Sequence, residues 1–384
     1  MQTITKQFFT DHIETYLLPH RESYLFFDIE TTGFSRDHTI LYLIGCGYYE
    51  KDSFHFFQWF NDDGFSEKEI LSSFLQVLEK KDWNLMTFNG NSFDIPYLQH
   101  HYELHGISCS FDQYTSIDFY HFLKPFQNLF HMIHGKQKDW ERFLGKYRED
   151  HYDGGQLIAV YKKYLLTQNP ELLHNLLLHN EEDLLGMKCL LPLLSYPRLL
   201  SGDFTIRTIT PDVMDGKESS GKIHVGCTLS HPLPREMDFD SSAGQIYGKQ
   251  RTIRISIPFY EGELKYFYKD YQDYYYLPKE DRAIHKSVGR YVDKKYRKQA
   301  KASTCYIKKE GIFLPLPHLQ KHFGFQITAA HYQKKFPLYK RVYKDKHYFA
   351  RFDDLFSFDN RFLTEYLCNV IKEIFITSLQ ESAM

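Results

Sequence analysis

Residues 24–33 read Tyr-Leu-Phe-Phe-Asp-Ile-Glu-Thr-Thr-Gly, and this stretch decides the fold prediction. Its aromatic and apolar residues predict a buried strand over Tyr24–Glu30 that ends before Gly33. Side chains two residues apart on a strand leave the same face, so Asp28 and Glu30 lie side by side. Two carboxylates on a buried face need a counter-charge, which favours a divalent cation. The alternative is a solvated edge strand that ends in a turn.

Strands and helices follow in an informative order. Two strand-like runs follow, Ile40–Tyr49 and Phe54–Phe60, and the turn-forming residues between them predict a hairpin connection. Ser66 and Glu69 predict a capping box at the start of a helix. The further predicted elements are strands Leu85–Phe88 and Ser116–Phe119, helix Ile95–His105, and a helix capped by Asn169 that ends near Pro192. Three strands in a meander, then alternating helices and strands, are typical of an RNase-H-like α/β domain, a mixed sheet flanked by helices.

Two further carboxylates, those of Asp94 and Asp183, lie on or next to predicted helices. Asp94 stands between a strand and the next helix, where ligands collect in open α/β sheets, although helix capping explains it equally well. His179 and Asp183 are four residues apart on a predicted helix and therefore share one face. A histidine there could take a proton from a reacting water, whereas a solvated acidic helix is the simpler alternative.

As a set, these residues resemble a known family. Asp28-Ile-Glu30-Thr, Asn91-Ser-Phe-Asp94 and Asp183 resemble the three exonuclease motifs of the DEDD superfamily of 3′–5′ exonucleases. The stretches Asp118-Phe-Tyr-His, Trp140-Glu-Arg-Phe-Leu-Gly and His179-Asn-Glu-Glu-Asp183-Leu-Leu-Gly extend the resemblance to the bacterial YprB-type RNase-H-like family. The resemblance covers about residues 24–194.

The resemblance implies a catalytic set and its cofactors. Two divalent ions, Mg²⁺ or Mn²⁺, would be held by Asp28, Glu30, Asp94 and Asp183, with Asp28 bridging them. One subgroup has a tyrosine four residues before the last aspartate and the other a histidine five before it. His179 stands at the tyrosine spacing, so the chain follows neither pattern, and His179 is the candidate base.

The second half of the sequence is basic. Residues 281–346 contain 17 Lys and Arg and 4 Asp and Glu, a difference of +13, so a net charge of −2 leaves −15 elsewhere. Cations interleaved with Tyr291 and Tyr296 favour single-stranded nucleic acid as partner, with a solvated basic face as the alternative. The candidate nucleic-acid contacts are Lys286, Arg290, Lys294, Arg297, Lys298 and, in the first half, Asn91.

Composition changes near residue 196 and predicts three segments. We expect an exonuclease domain over 1–195, a linker over 196–221, and a basic, β-rich α+β domain over 222–384. Within the last of these, Gln250–Tyr260 and Glu263–Tyr268 predict a hairpin around Glu261-Gly262.

Other sequence features concern location and redox state. Six single cysteines without a Cys-x-x-Cys pair favour free thiols over a zinc site or disulfides. We expect neither a signal peptide nor a membrane span, and we predict a cytoplasmic protein.

Three function classes follow from this pattern. The leading prediction is a two-metal 3′–5′ exonuclease acting on single strands. The alternative is a catalytically degenerate nucleic-acid-binding protein on the same fold. A third class is a protein-interaction module whose basic half docks an acidic partner.

Overall fold

The computed structural model describes residues 1–9, 17–212, 220–317, 332–357 and 360–382. The chain divides into two structural units, Met1–Pro197 and Arg198–Met384, each of which is described by itself. Among the described residues, no helix is long and apolar enough to cross a membrane.

The first unit contains one mixed sheet and its helices. The strands are β1 (Gln2–Phe9), β2 (Tyr24–Thr31), β3 (Leu41–Glu50), β4 (Ser53–Phe60), β5 (Asn84–Thr87) and β6 (Thr115–Asp118). The α-helices are α1 (Glu67–Leu78), α2 (Asp94–Leu104), α3 (Phe119–Gln127), α4 (Gln137–Phe143), α5 (Gly154–Thr167) and α6 (Pro170–Leu190). Helix α7 (Ser195–Leu200) contains the division between the units.

The sheet has the order β1-β4-β3-β2-β5-β6. Strands β2, β3 and β4 form the predicted antiparallel meander, and β5 and β6 run parallel to β2. The RNase-H-like mixed sheet flanked by helices is therefore confirmed for this unit.

Strand β2 is buried on both faces, which explains its composition. Leu25, Phe27 and Ile29 pack with residues of α1 and α2 such as Phe74 and Tyr97. The alternate residues, including Asp28 and Glu30, leave the other face, on which α6 packs. The period of two thus separates an apolar side from a side that carries acids.

The capping box predicted at the start of α1 is wrong. Helix α1 begins after Ser66, but the Ser66 side chain makes no capping hydrogen bond. Its hydroxyl donates instead to the Asp63 carboxylate, at 2.8 and 2.9 Å. Asp63 also accepts from the backbone N–H groups of Phe65 and Ser66 at 2.8 and 2.9 Å, so Asp63 organises the turn before α1.

The second unit is rich in β-strands. They are β7 (Phe204–Asp212), β8 (Ser220–Leu229), β9 (Met237–Ser241), β10 (Gly244–Lys249), β11 (Thr252–Phe267), β12 (Tyr274–Leu277), β13 (Arg282–His285), β14 (Lys298–Gln299), β15 (Tyr306–Pro315) and β16 (Phe349–Arg351). Its helices are α8 (Lys286–Gly289), α9 (Phe352–Phe356) and α10 (Asn360–Ser382). Strands β7–β11, β15 and β16 form one sheet, and β13-β12-β14 form a small second sheet.

One sequence-based prediction for this unit is wrong. Glu261-Gly262 is not a hairpin turn but the middle of β11, a strand of 16 residues. The first half of β11 pairs with β8 and the second with β15, where Gly262 (φ 141°) faces Gly311 (φ 151°). Left-handed backbone at a glycine bends a strand without ending it.

The segment predicted as a linker, 196–221, contains regular secondary structure. Its described residues include most of α7 and all of β7, which pairs with β8. Residues 213–219 lie outside the described part. Proline is tolerated in β7 because, among the described residues, this strand pairs only with β8 and so lies at an edge of the sheet.

Candidate metal centre

Asp28 and Glu30 stand on the β2 face that meets α6. Glu30 is 8% exposed and Asp28 is half-buried. Asn180 on α6 donates a hydrogen bond through Nδ2 to Asp28 Oδ2 at 3.0 Å, and the Tyr42 hydroxyl donates to Glu30 Oε2 at 3.5 Å. Both carboxylates therefore leave the same face of the strand, as the alternation predicts.

Close packing of α6 on the sheet depends on a glycine. A Cβ atom at Gly45 of β3 would lie 2.0 Å from Asn180 Oδ1. Because no side chain occupies this position, the Asn180 amide reaches the sheet and bonds both Asp28 and the Gln58 side chain. This contact fixes the distance at which α6 presents its polar residues.

Asp94 joins the site from the start of α2. It is 5% exposed, and its Oδ1 accepts a hydrogen bond from the Ile29 backbone N–H at 3.1 Å. The pairing of β2 with β5 ends at Phe26 and Met86, so the Ile29 N–H has no strand partner on that side. The Asp94 carboxylate thus accepts a hydrogen bond from the backbone of β2 and does not cap its own helix. Its carboxyl group therefore lies next to the acids of β2.

Helix α6 brings His179 and Asp183 to the same place. His179 Nε2 lies 3.3 Å from Asp183 Oδ2 and 3.5 Å from Glu30 Oε1. One potential ligand atom from each of these three residues lies within 4.8 Å of the other two. The structure therefore brings together all five residues of the predicted catalytic set, four carboxylates and one imidazole.

The other ring nitrogen of His179 is held by a residue that the sequence did not indicate. His179 Nδ1 lies 2.7 Å from Asp150 Oδ2, and Lys138 Nζ donates to the same oxygen at 2.7 Å. A carboxylate can only accept, so Nδ1 carries the proton and Nε2 is directed at Glu30 and Asp183.

The segment that carries Asp150 is itself anchored on α6. Glu182 accepts hydrogen bonds from the backbone N–H groups of Glu149 and Asp150, both at 2.9 Å. Glu182, which a solvated helix would direct to water, thus has a structural role. Of these two adjacent acids, Glu182 therefore holds the segment that carries Asp150, and Asp183 faces the site.

A buried ion pair borders Asp183. Arg148 Nη1 donates to Asp183 Oδ1 at 2.8 Å, and Arg148 Nε donates to Glu141 Oε2 at 2.6 Å. Glu141 is 3% exposed and lies in the Trp140-Glu-Arg-Phe-Leu-Gly stretch. One oxygen of Asp183 is therefore paired with a guanidinium, while the other faces His179.

Ionising the carboxyl groups of the site together is electrostatically unfavourable. Burial raises the pKa of Asp28 well above its ordinary value, and the charges of Asp183 and Asp94 raise it further. Burial likewise raises the pKa of Glu30 to about 8 and that of Asp94 to about 7. Burial lowers the pKa of His179, but the Asp150 hydrogen bond and the Asp183 charge outweigh it, so the net pKa is raised.

This donor set fits divalent metal ions. Desolvation and mutual repulsion raise the pKa values of buried carboxylates when too little positive charge surrounds them. A hard divalent cation supplies that positive charge. Asp28, Glu30, Asp94 and Asp183 offer only oxygen ligands, the type that Mg²⁺ and Mn²⁺ prefer. His179 adds one nitrogen at the edge of the set.

Asn91 lies in the loop after β5, and Asp118 at the end of β6 contacts that loop. The Asp118 carboxylate accepts hydrogen bonds from the backbone N–H groups of Asn89, Asn91 and Tyr120 at 2.7, 3.1 and 3.0 Å. Asp118, 3% exposed, therefore shapes the loop after β5 and caps α3. The Asn91 side chain is exposed and accepts from the Ser116 hydroxyl.

The predicted basic contacts belong to the second unit. Arg297 stacks on Tyr275 with Cζ 4.5 Å from the ring centroid, and Arg290 on Tyr291 at 4.8 Å. Within the described residues, none of the predicted cations forms an ion pair, whereas neighbouring Lys295 pairs with Asp293 at 3.6 Å. The cations without a carboxylate partner are Lys286, Arg290, Lys294, Arg297 and Lys298.

Comparison with known proteins agrees with the fold of the first unit. Residues 25–195 match a family model described as the RNase H superfamily. The match supports assignment of this segment to that superfamily. No curated protein matches the chain.

Proposed function

We propose that this protein is a metal-dependent nuclease that hydrolyses phosphodiester bonds of single-stranded nucleic acid from the 3′ end. The observation that carries the proposal is the convergence of Asp28, Glu30 and Asp94 with Asp183 on α6, supported by the RNase H superfamily match. Four carboxylates without sufficient positive charge are the ligand set that a pair of divalent ions requires.

Two divalent ions, when bound by these carboxylates, supply Lewis-acid stabilisation of the phosphate and activation of water. The chain supplies the proton chemistry. His179 carries a proton on Nδ1, which is bonded to Asp150, so its Nε2 is the atom that accepts a proton on the side of Glu30 and Asp183. Asp150 and Lys138 orient the ring, and burial of His179 keeps bulk water from competing for Nε2.

The basic residues of the second unit support nucleic acid as the substrate. Exposed cations without carboxylate partners attract phosphates, and tyrosines beside them offer rings for stacking. Tyr291 is 78% exposed and Tyr296 is 42% exposed, so both rings are available to unstacked bases. A duplex conceals its base faces, so this arrangement favours single strands.

A second candidate function is a nucleic-acid-binding protein without catalysis. The specific observation in its favour is Arg148, whose guanidinium neutralises one oxygen of Asp183. A resident cation of this kind competes with a metal ion for the same carboxylate. Cleavage distinguishes the two candidates, because both predict binding.

The test is incubation of the purified protein with 5′-labelled DNA and RNA strands in Mn²⁺ or in EDTA. A nuclease of the proposed type shortens the strands stepwise from the unlabelled 3′ end in Mn²⁺ and leaves them intact in EDTA. If Mn²⁺ stabilises the protein but neither strand is cut, the binding protein is correct. Internal cuts without stepwise shortening would contradict the 3′–5′ direction.

A further inference from the structure

A cavity of about 1120 Å³ lies within the second unit, and the predicted basic contacts are not among the residues that line it. Its walls come from the end of β11 with the residues that follow it and from residues 333–348. Sites for small molecules usually enclose ~300–1,000 Å³, so this cavity accommodates more than one small ligand group.

Aromatic rings form one part of the wall. Tyr268 and Tyr274 stack with ring centroids 4.5 Å apart and an interplanar angle of 17°. Tyr271 is 38% exposed and Tyr343 is 45% exposed, and Tyr343 packs edge-on against Phe267 at 5.4 Å. Large rings left in solvent at a cavity wall are surfaces on which another flat ring can stack.

Lysines form the other part of the wall. Within the described residues, none of the four lining lysines pairs with a carboxylate, although nearby Lys308 pairs with both Glu263 and Asp281. Among the described residues, the acids that line the cavity are Asp270 and Asp345. The four lysines are Lys269, Lys340, Lys344 and Lys346. The wall therefore has a charge of +2 and attracts anions.

One lysine is already oriented by a ring. Lys340 Nζ lies 4.3 Å from the centroid of the Tyr348 ring and donates to the Tyr343 carbonyl at 3.3 Å. Because an ammonium group has three N–H donors, Lys340 retains capacity for an anionic oxygen. Rings and ammonium groups thus alternate over a short span of the wall.

We propose that this cavity binds nucleotide units of a single strand, with a base stacked on the exposed tyrosines and phosphates held by the lysines. The inference rests on the proposed function for its choice of a strand over a free nucleotide. A neutral apolar ligand would leave four lysines without partners. A duplex would hide the base faces that the rings require.

The test uses the full chain in EDTA, where cleavage does not occur, and fluorescent DNA and RNA 12-mers in a titration followed by anisotropy. Tyr271→Ala and Tyr343→Ala should each weaken binding about tenfold, the size of a lost base–aromatic stack. Tyr343→Phe keeps the ring and should bind as the unaltered protein does. Lys344→Glu should also weaken binding, and more so at low salt.

Phe122→Ala serves as the matched control, because it removes a ring that is 37% exposed, against 38% for Tyr271, and lies on α3 of the first unit. Loss of binding in Tyr271→Ala and Tyr343→Ala that exceeds the loss in Phe122→Ala supports the cavity. Wild-type binding by both cavity variants, with unchanged melting temperatures, overturns it. An equal loss in Tyr343→Phe also overturns the proposal, because the ring itself would then not matter.

Competition identifies the ligand. An unlabelled single strand should displace the probe, whereas a duplex of the same length, inorganic phosphate and a nucleoside monophosphate should do so at least tenfold less well. Displacement by the monophosphate as effective as by the strand would make the cavity a free-nucleotide site and overturn the proposal.

The outcome is separable from that of the nuclease proposal. Asp183→Asn should lose cleavage and keep single-strand binding. If the cavity variants bind normally and the protein still cuts strands in Mn²⁺, the cavity proposal alone fails. If the protein binds strands through the cavity and does not cut them, the nuclease proposal alone fails.

Discussion

His179 Nδ1 lies 2.7 Å from Asp150 Oδ2, and this pair determines which nitrogen of the imidazole faces the carboxylates of the site. Lys138 donates to the same Asp150 oxygen, so the carboxylate is fixed from two sides. These contacts hold the pKa of Asp150 well below its ordinary value, because the His179 and Lys138 hydrogen bonds outweigh burial. Asp150 remains charged and orients His179 over the whole working pH range.

The first prediction concerns this pair. Asp150→Asn keeps the shape but removes the charge that orients the ring, so the cleavage rate should fall about 10- to 100-fold, the usual effect of losing an orienting partner. The pH–rate profile should also shift to lower pH, because His179 loses the charge that raises its pKa. Single-turnover cleavage over pH 5–9 measures both effects.

Asp153→Asn is the matched control for Asp150→Asn. It makes the same chemical change three residues away, at the N-cap of α5, where asparagine caps as well as aspartate. Its rate and pH profile should equal those of the unaltered protein. A normal pH profile in Asp150→Asn would show that Asp150 is only structural.

The second prediction separates the carboxylates that bind metal from one that shapes the loop. Asp94→Asn should reduce the rise in melting temperature produced by Mn²⁺, because a ligand is lost. Asp118→Asn should lower the melting temperature without metal, because three backbone N–H groups lose a charged acceptor, and should keep the Mn²⁺ response. Thermal melting at increasing Mn²⁺ measures both. The same Mn²⁺ response in the two variants would contradict this division.

The third prediction is the pH dependence of stability without metal. The pKa of Glu30 rises from 4.5 to about 8 on folding, and that of Asp94 from 3.8 to about 7. Over this window the unfolded chain loses these protons before the folded protein does, so the free energy of unfolding falls as pH rises. His179 acts in the same direction, because its raised pKa gives stability that is lost as its proton leaves.

The melting temperature in EDTA should therefore be lower at pH 8.5 than at pH 5.5. Mg²⁺ should restore it mainly at the higher pH, because binding requires deprotonated carboxylates. Glu30→Gln should flatten the EDTA curve, since its amide does not titrate. A melting temperature that rises between pH 5.5 and 8.5 in EDTA would exclude this electrostatic account.

The fourth prediction concerns the basic contacts of the second unit. Replacing Lys294 and Lys298 with serine should reduce the slope of log affinity against log salt for single strands by about 1.4, or 0.7 for each lost phosphate contact. Lys162→Ser/Lys163→Ser, an exposed pair in the first unit, should leave the slope unchanged. A slope near zero for the unaltered protein would favour the protein-interaction module over a nucleic-acid partner.

The sequence predicted those parts of the site that depend on local periodicity. Asp28 and Glu30 follow from the alternation of one strand, and His179 and Asp183 from the spacing of one helix. Asp150 and Arg148 could not be predicted, because the segment between α4 and α5 has no periodicity and reaches α6 only through tertiary contacts. Lys138 lies in α4, but its partner Asp150 lies in that segment. The sequence indicates the stretch around Glu141 but not its partner Arg148.

The errors in the fold prediction have a common physical cause. Glycine at 262 is compatible with a turn or a bend, and which one forms depends on the strands β8 and β15, both distant in sequence. Ser66 is likewise compatible with capping, but its side chain makes no capping hydrogen bond, and its hydroxyl donates to Asp63. Local patterns define what a residue permits, and tertiary partners decide which option is realised.

The most direct test of the central claim is the rate at which 5′-labelled single strands are cleaved in Mn²⁺ by the unaltered protein, Asp28→Ala and Asp183→Ala. All three are compared at equal concentration after thermal melting has shown that they are folded. The account predicts a ladder of strands shortened from the 3′ end for the unaltered protein and a loss of at least about 100-fold in each variant. Full activity in either folded variant would contradict it.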